Sequence, residues 1–405
     1  MFSAGSVLAA AVPTPGCNEG FDGPYPCDQG FASCTTPDQC ETDLTSDPQN
    51  CSACNSTCAQ GARCSDGGCT ASPPMLSADV YPGPIAINSS DVFFWSAANT
   101  VIEGVPKGGG TPWPVSMQAS GGADWPFAVD NSSVYYFAQN LSGSGGWYLA
   151  ASPASPGDGS VSQPAIVGTL LTSQSVGMAS AMVIFQGTIY SSWSSSGSYV
   201  VGSVPTSGGS LVDITSFPDS NGSLAVDGNG VYTVGVNNGP CEIDRAPLVG
   251  GSPSTLASGL DVCPSSLATD GVSLYFAGLV GTYDQNGNAV ACALQVGSVP
   301  VTGGASVTVG SVVANEQPYQ IAVDGSYAYV ATNESLWKFP TSGGGTPTRM
   351  AGNLGVQVTS PTSDGCVYGN TGETRVVLAL DESSAYLVVP SNLGTSGGVL
   401  LKIAK

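Results

Sequence analysis

An acidic or amide residue recurs just before a short turn, at Asn88, Asp130, Asp227, Asp270, Asp324 and Asp381. Gathered at one channel mouth, such carboxylates would offer the oxygen donors of a Ca²⁺ site, which takes about 6–8 of them. Placed before a turn, each would instead accept backbone N–H groups across it, as Asx turns do. The position recurs in nearly every copy of one repeat, and a site rarely needs so many copies. The spacing therefore predicts turn punctuation at these six residues, with no metal and no cofactor. The glycine-rich runs lack the Gly-Lys-Ser/Thr ending of a phosphate loop and the helix that would follow it.

Other chemistry is narrowed by one absence. The chain contains no His, which removes Ser-His-Asp and Cys-His nucleophile systems and every His-based zinc site. A carboxylate-based hydrolase would need two acids about 5–9.5 Å apart. Glu316, Glu373 and Asp284 are loop acids of the right kind, but nothing in the sequence selects them, so no catalytic residue is assigned. Trp113, Trp125, Trp147 and Trp193 sit at or near loops and are the candidate ligand-binding residues, because an amphipathic ring can stack on a sugar. Packing between sheets is the competing reading, and Trp95 and Trp337, inside strand patterns, are read as core.

Nine of the 13 cysteines fall between Cys17 and Cys69, in a stretch almost without aliphatic residues. Such a segment needs covalent staples. Cys27, Cys34, Cys40, Cys51, Cys54, Cys58, Cys64 and Cys69 are read as disulfide-bonded, which implies an oxidising compartment. Zinc at Cys51, Cys54 and Cys58 is the rival, though nine cysteines exceed one tetrahedral site. The odd number leaves one thiol over; Cys17, after Gly16, is a candidate for lipid acylation. Residues 1–16 resemble the remnant of an export signal without its basic start. Of the remaining cysteines, Cys241 and Cys263 are expected to pair, and Cys292 with Cys366 follows only by elimination.

"DLTSDPQNCSACNSTCAQGARCSDGGC", Asp43 to Cys69, resembles a cysteine-rich module of secreted proteins of myxobacterial type. Asp43, Asp47, Asn50, Cys51, Cys54, Cys58, Cys64 and Cys69 match its pattern. Ser52 and Asn55 depart from it, standing where that family usually has Gly. The resemblance implies an exported, disulfide-bonded module and no particular activity.

The elements that position the recurring Asp residues emerge from the blocks around them. "AINSSDVFFW", "AVDNSSVYYF", "AVDGNGVYTV", "ATDGVSLYFA", "AVDGSYAYVA" and "ALDESSAYLV" each put a short, mainly apolar stretch ending in Asp or Asn before the turn and an apolar–aromatic run after it. A Pro-plus-glycine turn follows most of them. "VIFQGTIYSS" adds a degenerate copy with Phe185 in the Asp place, and the anchors are then spaced by 42, 55, 42, 43, 54 and 57 residues. Seven copies of several short strands predict an all-β, seven-bladed β-propeller, one four-stranded sheet per copy. The last copy lacks an outer strand, and residues 74–80, ahead of the first, are expected to supply it and close the ring. The domains are thus 17–72, a small disulfide-rich loop module, and 73–405, the propeller. The repeats resemble bacterial propellers of the TolB-like, NHL-like and YWTD-like kind.

Of the chain's residues only 9% are charged, and the net charge is −21. A phosphate backbone would be repelled, so no nucleic acid is expected as partner. No apolar run is long enough for a transmembrane segment. The sequence points to a secreted or outer-cell-surface protein that binds or scaffolds, recognising an extracellular protein or polysaccharide. Recognition would use the face carrying the long loops Ala138–Trp147, Ala277–Cys292 and Met350–Val376. A propeller-fold lyase or carboxylate-based hydrolase acting on an extracellular polymer is the alternative.

Overall fold

In the computed structural model the chain divides into two compact units, Met1–Ser72 and Pro73–Lys405. The described residues are 31–32, 42–44, 50, 52–56, 62–65 and 68–71 in the first unit. In the second they are 73–96, 101–116, 125–139, 147–155, 165–169, 179–218, 220–235, 241–283, 289–314, 316–352, 354, 376–390 and 397–405.

The first unit contains two short antiparallel ladders, Phe31–Ala32 with Thr42–Asp43 and Ala62–Ser65 with Gly68–Ala71. The second places Cys64 directly opposite Cys69, and Cys54 is disulfide-bonded. Ser52 and Asn55 both adopt φ 64°, the left-handed region that favours glycine. Asn55 is held there by its own N–H, which donates to Asn50 Oδ1 at 2.8 Å. This backbone geometry gives a physical reason for a glycine preference at both positions.

The second unit is a seven-bladed β-propeller, each blade a four-stranded antiparallel meander. From inner to outer strand, blade 2 is Phe127–Val129, Ser133–Gln139, Trp147–Pro153 and Ala165–Thr169. Blade 4 is Ala225–Asp227, Gly230–Gly235, Glu242–Ala246 and Ser254–Ala257. Blade 6 is Pro318–Val323, Tyr327–Thr332, Leu336–Pro340 and Thr348–Ala351. The second strands are apolar on both faces because each sheet is covered by a neighbour on either side. Every residue of Gly230–Gly235 and of Ser384–Pro390 is buried.

Both ends of the propeller unit meet in one sheet. The strand Met75–Ile87 changes register between Val80 and Ile85. Its first half pairs with Gly398–Leu401 as outer strand of blade 7, and its second half pairs with Val92–Phe94 as inner strand of blade 1. Val80, Val92, Phe94, Val105, Tyr386, Val388 and Leu400 form the apolar seam between these blades.

Two departures from the repeat have local causes. In blade 3, Phe185 occupies the Asp place because the turn is built differently. Gln186 (φ 48°) and Gly187 (φ 73°) are both left-handed, between paired Phe185 and Thr188. That is the two-residue turn matched to strand twist, and it needs no carboxylate. In blade 5, the stretch Ala277–Cys292, expected as a loop, is largely strand. Ser273–Tyr283 and Ala289–Pro300 pair from Ser273–Pro300 to Tyr283–Ala289, because alternating β-branched and small residues continue through both arms.

The Pro-plus-glycine turns guard sheet edges. Gly208 (φ +97°) lies where a Cβ would be 3.3 Å from Val167 O, and Gly250 (φ +91°) where it would be 3.1 Å from Ile214 O. Each turn thus presses bare backbone against the outer strand of the preceding blade. Gly209–Ser210 extends blade 2 as a fifth strand, parallel to Gly168–Thr169. The Gly251 N–H donates to Ile214 O at 3.1 Å, and Thr215 Oγ1 donates to Gly251 O at 2.9 Å.

Candidate functional site

The antiparallel meander sends the first and third turns of every blade to one face and the remaining connections to the other. On the first face stand the recurring acids. Oδ1 of Asp130 accepts from the N–H groups of Ser132 and Ser133, both at 2.8 Å. Asp381 does the same with Ser383 and Ser384 at 2.8 Å. Asp270 takes Val272 and Ser273, Asp324 takes Ser326 and Tyr327, Asp227 takes Asn229 and Gly230, and Asn88 takes Ser90 and Asp91.

A second partner was missed in the sequence. Five residues after each Asp stands a tyrosine whose hydroxyl donates back to the carboxylate. Tyr135, Tyr275, Tyr329 and Tyr386 reach Oδ2 of Asp130, Asp270, Asp324 and Asp381 at 2.9–3.0 Å, and Tyr232 reaches Oδ1 of Asp227 at 2.9 Å. The signal was an Asp-x₄-Tyr spacing in five copies. Asn88, with no charge, has Phe93 at that position. Burial, then the carboxylate beside them, push the hydroxyls of Tyr232, Tyr329 and Tyr386 well above the usual tyrosine range.

All four lysines of the chain lie on blades 6, 7 and 1. Lys107 Nζ is 2.9 Å from Asp381 Oδ2, and Lys405 Nζ is 2.6 Å from Asp324 Oδ2. Lys402 Nζ donates to Lys107 O at 2.9 Å, and Lys338 Nζ sits 3.9 Å above the Tyr327 ring. Blade 7 is thereby tied to both neighbours. A depression between blades 6 and 7 is lined by Val323, Asp324, Leu380, Asp381, Glu382 and Lys405.

These contacts have a pH signature. Burial alone would raise the Asp381 carboxyl, but Lys107, Tyr386 and the N–H groups of Ser383 and Ser384 outweigh it and hold it well below its usual 3.8. Asp130 and Asp324 are lowered by the same balance. A carboxyl lowered by folding adds stability that is complete above its unfolded pKa and is lost as pH falls through its folded one. Asp244 and Glu334, raised by burial, act in the opposite sense. Asp381→Asn keeps the turn acceptor at Oδ1 and replaces Oδ2, the acceptor for Tyr386 and Lys107, with an uncharged donor. Its melting temperature should lie below that of the unchanged chain at pH 7, and the gap should close as pH is lowered from about 5 to 2.

The opposite face carries two clusters. In blade 6, Glu316 is buried at 6% exposure and accepts from Thr332 Oγ1 (2.6 Å), Ser335 Oγ (3.0 Å) and Trp337 Nε1 (2.9 Å). Arg349 completes the set at 3.3 Å. Burial, then the charge of Glu316, raises the Glu334 carboxyl, with Arg349 opposing. Glu373 and Asp284 lie outside the described residues.

In blade 2, Trp125 precedes the inner strand and Trp147 opens the third. Their rings lie 4.1 Å apart at 31°, and Phe137 meets Trp125 edge-on at 5.7 Å. Trp125 is buried and Trp147 half-buried. Trp193, 1% exposed, covers Gly202, where a Cβ would come within 2.6 Å of the ring; no ring face is left for a ligand. Trp113 is half-buried over Gly104 and edge-on to Phe93 at 6.4 Å. Trp95 is core, its Nε1 donating to Trp125 O at 3.0 Å.

Cys241 and Cys263 form a disulfide, with Cα atoms 5.2 Å apart, between the third strand of blade 4 and the start of blade 5. Cys292 is also disulfide-bonded. Cys27, Cys34, Cys40, Cys51, Cys58 and Cys366 lie outside the described residues, as do residues 140–146 and 355–375 of the long loops.

No protein-family model matches the chain, and no curated protein sequence matches it. The structure is similar to BamB from Moraxella catarrhalis, at 11% identity over 80% of this chain and 86% of that one, with a TM-score of 0.43. It is similar to YCF48 bound to D1 peptide, at 9% identity over 82% and 96%, with a TM-score of 0.49. It is similar to virginiamycin B lyase from Staphylococcus aureus, at 12% identity over 81% and 97%, with a TM-score of 0.46. These neighbours are β-propellers, and the likeness concerns the fold.

Proposed function

We propose that the chain is an exported or cell-surface binding and scaffolding protein. It recognises an extracellular protein or polysaccharide through the face where Trp125 and Trp147 lie. The observation that carries this reading is the half-buried Trp147 ring seated on a buried Trp125 at the mouth of the blade 2 connections. An aromatic ring backed by a buried one is a favourable anchor, offering contact area at low entropic cost. Cys17 is the candidate for a lipid anchor, and the cysteine-rich unit fits the oxidising compartment that export would provide.

Glycan-array and pull-down screens of the intact chain should show saturable capture without turnover. Trp147→Ala should weaken that capture about tenfold or more when measured below the variant's own, somewhat lowered, melting temperature. Unchanged affinity in this variant would remove the loop-face assignment. A second reading, a carboxylate-based hydrolase, rests on the raised Glu334 carboxyl beside Glu316. It requires product release from an extracellular polymer that Glu334→Gln abolishes.

A further inference from the structure

We propose that the Cys241–Cys263 disulfide is a redox-sensitive clamp on the connection between blades 4 and 5, residues 258–266. Exposed bridges are the class that thiols reach and reduce, whereas structural ones resist. Cys263 is exposed and Cys241 half-buried. Cys292, also disulfide-bonded, is only 4% exposed.

What the clamp holds is a junction of four blades. Leu260 and Val262 are buried in the apolar seam that blades 4 and 5 share. Val262 fills the space over Gly278 of blade 5, where a Cβ would come within 2.6 Å of it. The Leu260 N–H donates to Cys241 O at 3.4 Å. Asn221, between blades 3 and 4, donates from Nδ2 to Pro264 O at 3.2 Å. Beside it, Ser192 Oγ of blade 3 donates to Gly222 O at 3.0 Å. On the other side the connection meets the inner strand of blade 6. Ser265 Oγ donates to Pro318 O at 3.0 Å, and the Ile321 N–H donates to Ser266 Oγ at 2.9 Å.

A run of side-chain bonds thus crosses this face from blade 3 to blade 6, and its middle is a connection with no helix or strand of its own. The disulfide gives that segment a third covalent attachment besides its two ends. Reduction removes it. A thiolate of a dithiol attacks Cys263 Sγ, the S–S bond breaks, and Cys241 leaves as thiolate. The second thiol displaces Cys263 and closes the reductant's own disulfide. Two electrons pass to the cysteines, which take up two protons. The ladders of both blades are untouched, so the opening stays local.

Hydrogen exchange of the intact chain, before and after treatment with dithiothreitol, tests this, with alkylation of the native protein to mark the opened bridge. Alkylation should label Cys263. Exchange should become about tenfold faster or more across 258–266 and at Ile321, and reoxidation should reverse it. Gly230–Gly235 and Ser384–Pro390 should be unchanged. Cys241→Ser combined with Cys263→Ser should show the fast pattern without reductant and no further change there when it is added. That variant separates this bridge from those of Cys54 and Cys292. A bridge left intact by about 10 mM dithiol, unchanged exchange at 258–266 in the double variant, or loss of protection in all blades together would overturn the proposal. The readout uses no ligand, so it is independent of the Trp147 reading.

Discussion

Removal of residues 74–80 by internal deletion should abolish cooperative folding of the propeller unit. The segment supplies the fourth strand of blade 7, pairing Met75, Ser77, Ala78 and Val80 with Leu401, Leu400, Val399 and Gly398. It also carries Val80, fully buried in the seam with blade 1. Losing about four backbone hydrogen bonds at about 1 kcal/mol each, and the burial of one valine at about 1.5–3 kcal/mol, removes a large part of a marginal total stability. The exposed third strand would then offer Leu400 and Leu401 to other chains. Loss of a sharp thermal transition, dye binding and aggregation are expected. Retention of a melting temperature within a few degrees of the intact chain would show that the ring does not need this strand. A chain beginning at residue 73 keeps the strand and serves as the control.

The second large effect is expected at Asp227. It is 3% exposed and accepts from Asn229 N (2.7 Å), Gly230 N (3.3 Å), Tyr232 Oη (2.9 Å) and, from blade 5, Thr269 Oγ1 (3.0 Å). Tyr232 is itself fully buried. Asp227→Ala strands a buried phenol and two turn N–H groups, which should cost about 3–5 kcal/mol. Asp227→Asn restores the turn acceptor and should cost about 1–2 kcal/mol. Denaturant unfolding measures both. Asn88, half-buried and uncharged in the same turn position, sets the low end: its Ala variant should cost about 1 kcal/mol or less.

Much of this architecture is readable from the chain because the repeat is written in local turn chemistry. Each Asp stands two and three residues before the amides it caps, so spacing alone reveals it. The partner tyrosine was equally local and went unread, since an aromatic in a strand has a sufficient reason in packing. Phe185 shows the converse: a left-handed Gln-Gly pair replaces the Asx turn, so the copy persists without its marker. The tryptophans were less legible. Whether a ring is exposed depends on what lies across the sheet, and Gly104 and Gly202 draw Trp113 and Trp193 inward. The lysine cluster could not be foreseen by spacing, because Lys107 and Lys402 meet only when the two ends of the propeller unit share a sheet. The blade 5 hairpin defeated a loop reading because glycines at 278 and 281 sit within long paired strands.

Thermal unfolding of the intact chain in Ca²⁺ and in excess chelator bears most directly on the recurring carboxylates. If they serve their own turns and tyrosines, the two melting curves coincide. A shared cation site would raise stability by about 4 kcal/mol at a thousandfold excess over its dissociation constant, and a shift of that size, lost in Asp324→Asn or Asp381→Asn, would contradict the assignment.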